Sequence, residues 1–165
     1  MELNPSVPVL AVDAELLWRL GVAVILGPLL GLDREIRGHA AGLRTHGLIC
    51  VSASAMTIAV IALYLQFGHG GAMRMDPLRI FEATGAFVGF LGAGLIIFAR
   101  GKLHNLTTAA HLWLTAVIGV ACGAGLWPLV AVCAAASVTM LTALAWIEGS
   151  WSRDRRIGEQ HRDAP

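Results

Sequence analysis

The sequence predicts an all-α fold, a polytopic membrane helix bundle with five transmembrane helices. Three observations predict it. Hydrophobic residues make up 56% of the 165 residues and charged residues only 14%, against about 25% charge in an ordinary soluble domain. The mean hydropathy is +0.69, which leaves too little polar surface for water to be the main solvent. Five apolar stretches approach the ~20 residues needed to cross ~30 Å of hydrocarbon.

Taken in order, helix 1 covers about 15–32, helix 2 about 43–67, helix 3 about 80–99, helix 4 about 105–125 and helix 5 about 127–147. Residues 1–14 contain Glu2 and Asp13 but no Lys or Arg. They lack the basic n-region of a secretory signal and read as an extracytoplasmic lead-in. A tight turn at Leu126 and Pro128 joins helices 4 and 5 as an antiparallel hairpin. Residues 1–148 thus form one transmembrane domain. Residues 149–165 form a basic cytoplasmic tail that cannot bury a core and is expected to be disordered or to lie on anionic lipid. No internal repeat is visible.

The basic residues set the orientation. Arg34, Arg37, Arg44, Arg100, Lys102, Arg153, Arg155, Arg156 and Arg162 place nine on one side, against Arg74 and Arg79 in the opposite loop. Cytoplasmic loops collect Lys and Arg, so the nine belong inside. The chain is N-out/C-in, and five crossings satisfy that parity. Trp18, Trp127, Trp146 and Trp151 fall near helix ends, as interface anchors do, whereas Trp113 lies within helix 4 and is expected to pack.

Glycines mark the helix faces. Gly27 and Gly31 have GxxxG spacing in helix 1, with Pro28 as a kink site. Gly85, Gly89 and Gly92 share one face of helix 3, which is expected to approach another helix in the protomer or in a second copy. Glu82 precedes Gly85 by three residues and reads as pointing into the bundle on that stripe. A carboxylate at such depth is a functional candidate. The plainer alternative is a hydrated Glu82 paired with Arg79. Thr108, His111, Thr115 and Gly119 form a polar, small face on helix 4, where His111 either titrates or binds metal, or is simply a buried, hydrogen-bonded histidine.

The cytoplasmic end gathers the other polar residues. Helix 1 ends at Asp33 and Arg34, helix 2 begins with Arg44 and Thr45, and helix 4 begins with Asn105, Thr107 and Thr108. Free N-terminal amides of helices 2 and 4 favour an anion there, and Asp33, held by Arg34 or Arg44, is the expected one. Asp33 and Arg37 are i, i+4 partners if helix 1 continues inward. Asp33, Glu35 and Glu82 are the candidate metal ligands. The arginines around the first two repel a dication and suit a phosphate or an anionic lipid headgroup better. Cys50, Cys122 and Cys133 lie inside apolar runs with no ligand spacing and read as buried small residues. There is no nucleophile triad, no phosphate-binding glycine loop and no nucleic-acid patch, so neither an enzyme nor a nucleic-acid partner is expected. GFLGAG sits inside an apolar helix with no preceding strand and is not a dinucleotide fingerprint.

Several motifs together resemble a known family. LGLDREIRGHAAGLRTH, DPLRI, VGFLGAGLI and NLTTAAHLW follow one another in the order and spacing of the MgtC/SapB family, over about residues 16–148. The resemblance implies a small, multi-pass protein of the bacterial inner membrane, linked to magnesium homeostasis. It points to Asp33, Arg34, Arg44, Thr45, Asp76, Arg79, Asn105, Thr107 and Thr108 as signature polar residues, with Gly42, Gly89, Gly92 and Gly94 at glycine positions. The chain departs from the family in having Asp33 where Glu is common, and Ala86 and Phe87 where Ser-Gly often stands. Many members also carry a C-terminal soluble domain, whereas this sequence ends soon after helix 5.

Two functions follow as expectations. The first is magnesium homeostasis including Mg²⁺ transport, with Mg²⁺ as substrate or ligand and no resident cofactor. The second is a non-transporting regulator that binds a larger membrane protein through its helix faces. Either is expected to sit in a lipid bilayer as a homo-oligomer, a dimer being the simplest.

Overall fold

A computed structural model describes residues 14–67, 76–99 and 102–160. Among them are five helices, α1 (Ala14–Ile36), α2 (Leu43–Phe67), α3 (Arg79–Leu95), α4 (Leu106–Ala124) and α5 (Trp127–Gln160). Between α3 and α4 lie two short strands, β1 (Ile97–Ala99) and β2 (Lys102–His104), paired antiparallel with Phe98 opposite Leu103. The helices α1, α2 and α4 are each long and apolar enough to cross a membrane, and Trp127–Ala143 of α5 is a shorter apolar stretch. The basic residues Arg74, Arg100 and Arg162 lie outside the described residues.

Two helix ends differ from the sequence reading. Helix 3 was expected to reach residue 99, but α3 stops at Leu95, where Ile96 turns to an extended backbone (φ −75°, ψ 115°). The β-branched and aromatic run from Ile96 to Phe98 favours extended structure. Asn105 then holds the left-handed conformation (φ 64°) and donates its side-chain amide to the Leu95 carbonyl at 3.1 Å. Asparagine is among the few non-glycine residues that tolerate that geometry, so one side chain ties the end of α3 to the start of α4. At the other end, α5 does not stop near residue 147 but continues to Gln160. The segment 149–160 is therefore helical, not disordered. Its straight-chain Arg, Glu and Gln residues are good helix formers and outweigh two glycines.

The bundle is built around α4, which packs on each of the other four helices. Glycine makes the closest approaches. A Cβ on Gly27 would lie 2.8 Å from Cys50 Cβ and from Gly47 Cα, and one on Gly31 would lie 2.7 Å from the Gly42 carbonyl oxygen. The GxxxG pair of α1 therefore does seat α2. On α4, Gly119 and Gly123 sit directly against the backbone carbonyls of Cys50 and Ser54 in α2. Ala23, Leu30, Cys50, Ile118, Ala121, Cys122 and Val130 fill the space between as a buried cluster.

The helix α3 packs less tightly. Its buried residues are Ile80, Thr84, Val88 and Gly92. Gly92 faces Ala109, and Gly85 receives the edge of Trp113, each with a would-be Cβ contact of 3.3 Å. Trp113 thus packs by one edge of its ring and is otherwise 45% exposed. Gly89 has nothing within 4 Å of a would-be Cβ, so it makes no close contact inside the protomer.

At the end opposite Asn105, α4 closes with Gly125 in the left-handed conformation (φ 71°), and the Leu126 amide bonds back to Ala121 at 2.9 Å. Arg19 of α1 reaches this end. It is ion-paired with Glu15 at 2.8 Å and donates to the Gly123 carbonyl at 2.9 Å, a cation on the negative pole of α4.

Candidate functional site

The polar centre of the bundle is a hydrogen-bonded row through three helices. His46 lies in the first turn of α2, His111 in α4 and Ser137 in α5; His46 and Ser137 are almost fully enclosed, and His111 is 7% exposed. His46 Nδ1 lies 2.9 Å from the Gly42 carbonyl, His46 Nε2 lies 2.9 Å from His111 Nδ1, and His111 Nε2 lies 2.6 Å from Ser137 Oγ. A carbonyl oxygen only accepts, so His46 Nδ1 carries the hydrogen of that bond. With neutral rings, His46 Nε2 is then the acceptor and His111 Nδ1 the donor. His111 Nε2 in turn accepts from the Ser137 hydroxyl. Every ring nitrogen has a partner, which is what a buried polar group requires in an apolar medium.

Beside this row, α1 ends in charge. Arg34 is only 6% exposed. One of its terminal nitrogens reaches Thr107 Oγ1 at 3.5 Å, while its Nε is buried with no protein partner. Asp33 bonds Arg37 at 2.7 Å one turn on, so its charge is taken up locally. His39 Nδ1 is likewise buried and unpartnered. A cavity of about 560 Å³ opens among Asp33, Arg34, Arg37, His39 and Thr107, with His111 and Ser137 on its wall. The start of α4, which has no side-chain cap, contributes Thr107 to the same space.

The cytoplasmic cluster expected from sequence is only partly assembled. Asp33, Arg34 and Thr107 meet at the cavity. Asp33 does not bridge to Arg34 or Arg44: its i, i+4 neighbour Arg37 shares its face, whereas Arg34 reaches toward Thr107. The anion at the start of α2 is Glu35, whose carboxylate accepts from the Leu43 amide at 3.2 Å and occupies the room left by the missing side chain of Gly42. Glu35 is thereby committed as a helix cap. Arg44 is exposed and Thr45 half-buried, and neither hydrogen-bonds into the cluster. Asn105 serves the end of α3. Thr108 is fully buried with its hydroxyl unpartnered.

The outer candidates separate. Asp76 accepts from the Leu78 amide at 3.0 Å and shapes the turn into α3. Arg79 and Glu82 are exposed and make no ion pair with each other. Glu82 does not point into the bundle, because the inward stripe of α3 runs through Ile80, Thr84 and Val88. His111 is buried and hydrogen-bonded, the plainer of its two readings. Among the described residues no three His, Cys, Asp or Glu side chains converge on one point as metal ligands. The sequence reading missed His46, Ser137 and Arg19. Only one signal was available, that each is a polar residue inside an apolar helix.

Comparison with known proteins decides the family. The MgtC family model matches residues 20–150. The chain belongs to the MgtC family. A relative from Bacillus subtilis, protein SapB, is 37% identical over 117 residues, covering 70% of this chain and 50% of that protein. An Escherichia coli K12 relative named putative magnesium transporter YhiD is 40% identical over 119 residues, covering 70% of this chain and 54% of that one. Protein SrpB of Synechococcus elongatus is 33% identical over 153 residues, covering 82% and 81%. The chain spans about half the length of the SapB and YhiD relatives. No solved structure matches. Membership of the MgtC family and three long apolar helices identify a membrane protein.

Proposed function

We propose that this MgtC-family chain is a multi-pass protein of the bacterial inner membrane that serves magnesium homeostasis. The magnesium connection is supported by the name of the YhiD relative. Within that role, one observation favours a regulator of a larger membrane protein over an ion conduit. The polar cavity described above presents two guanidinium groups, and its carboxylate Asp33 is already paired. A dication is repelled from such a site. Mg²⁺ transport is the second reading, favoured by the same relative's name. It needs a path shared between copies, and the open face of α3 around Gly89 offers a surface for a homo-oligomer, a dimer being the simplest. Purified protein in liposomes loaded with a Mg²⁺-sensitive dye separates the two. The regulator reading expects flux no greater than in empty liposomes. Saturable Mg²⁺ uptake above that level overturns it in favour of transport.

The proposed topology has five crossings, with the N-terminus outside and the C-terminus in the cytoplasm. It is supported by the positive-inside asymmetry of the loops and by three long apolar helices plus the shorter apolar lengths of α3 and α5. A reporter fused after Pro165 should be active only when cytoplasmic folding is required. Activity of a periplasm-dependent reporter at the same position refutes the orientation.

A further inference from the structure

We propose that the cavity between the end of α1 and the walls of α4 and α5 is a binding site for an anionic phospholipid, with the lipid phosphate on Arg34. Nothing in the role in magnesium homeostasis requires this. The inference rests on the membrane placement alone, so the liposome flux result does not decide it.

The argument begins with an unanswered charge. Arg34 is more than nine-tenths buried, yet its Nε has no partner and its contact with Thr107 is long at 3.5 Å. A buried guanidinium with spare donors is expensive unless an anion meets it. Among the described residues, the carboxylates of this helix end are spoken for, Asp33 by Arg37 and Glu35 by the start of α2. Around the vacant donor stand Arg37, the unpartnered Nδ1 of His39 and the hydroxyl of Thr107. The uncapped first turn of α4 adds its positive pole. Planar, multi-donor recognition of this kind fits a phosphate oxyanion.

The rest of the cavity says which phosphate. Away from the arginines its lining changes to Leu114, Met140 and Leu141, on the facing sides of α4 and α5. A free phosphate ion would satisfy the polar end and leave the apolar part of the cavity unfilled. A glycerophospholipid satisfies both, headgroup phosphate at Arg34 and acyl chain along Leu114 and Leu141. The polar end also lies on the side that the arginine distribution assigns to the cytoplasm, where anionic lipid is drawn to basic residues.

Native mass spectrometry of the full chain in detergent tests this, titrating phosphatidylglycerol, phosphatidylethanolamine and inorganic phosphate. Phosphatidylglycerol should bind at one saturable site, more tightly than phosphatidylethanolamine, and excess inorganic phosphate should not displace it. Arg34→Gln should weaken phosphatidylglycerol binding about ten- to a hundredfold, as expected for losing a charge-assisted contact. Leu141→Trp fills the apolar half and should weaken it while Arg34 stays intact. Should Arg34→Gln fail to fold, the lipid contrast on the unaltered chain and the Leu141→Trp variant still decide. Equal retention of both lipids, or no effect of Leu141→Trp, overturns the proposal. Displacement by inorganic phosphate overturns the lipid as occupant.

Discussion

Gly119→Leu should leave almost no folded protein in the membrane, whereas Gly89→Leu should leave the protomer fold unchanged. At Gly119 even a Cβ would collide with the Cys50 carbonyl oxygen, and the next neighbour is Ala53. The obstacle is backbone, which cannot swing aside as a side chain would. The only relief is to push α2 away from α4, and that opens the cluster holding Cys50, Ile118 and Cys122. Overpacking ordinarily costs about 1–3 kcal/mol, more where backbone is forced apart, and about 3 kcal/mol is a large part of a typical stability. Gly89 is the control, being a glycine in an apolar helix with open space where its side chain would be. Membrane yield and thermal aggregation of the two variants, side by side, check the result. Equal yields would mean that α2 and α4 do not meet as described. If Gly89→Leu changes only the oligomer size, the α3 face is the contact between copies.

His111→Leu is expected to destabilise the bundle by about 2 kcal/mol or more, read as a shift in detergent or thermal unfolding. Single interhelical hydrogen bonds in membranes average only about 0.6 kcal/mol. Here one substitution strands two partners at once, His46 Nε2 and the Ser137 hydroxyl, each enclosed. An orphaned buried polar group costs roughly 1–3 kcal/mol. Adding His46→Leu should then cost less than its own single effect, because the group it removes is already stranded. Thr139→Val supplies the baseline. That hydroxyl is exposed and bonds only to Ala135 in its own helix, so its loss should be nearly silent. Strict additivity of the two histidine changes would show that the rings are independent.

The helices were legible because each is an apolar run bounded by charge or glycine, a signal that needs no partner to be read. The seat of α1 on α2 was legible for a related reason. Gly27 and Gly31 carry the pattern within five residues, and a smooth surface must be met by something. On α3 the same logic misled. Gly85, Gly89 and Gly92 form a stripe, but a stripe does not say which side faces the bundle. Ile80, Thr84 and Val88 settle that, and they turn Glu82 outward. The polar cluster failed in a different way. Only Asp33, Arg34 and Thr107 of its expected members line the cavity together, because pairing follows local geometry. Asp33 takes Arg37, four positions on, and Glu35 takes the Leu43 amide, eight positions on. His46 was invisible because its partner lies 65 residues away. No periodicity within a single helix encodes that distance.

The row that starts at Ser137 has a property that bears on what can travel through this protein. A line of hydroxyls and imidazoles passes protons only if each link can hand one on and then turn round for the next. Here the last link is the Gly42 carbonyl, which also receives the His46 backbone amide at 3.1 Å. An oxygen of that kind has no hydrogen to surrender and cannot reverse its role. The histidine pair is therefore a cul-de-sac for protons. It works as a latch between three helices, and any current that this membrane domain carries has to be sought along another route.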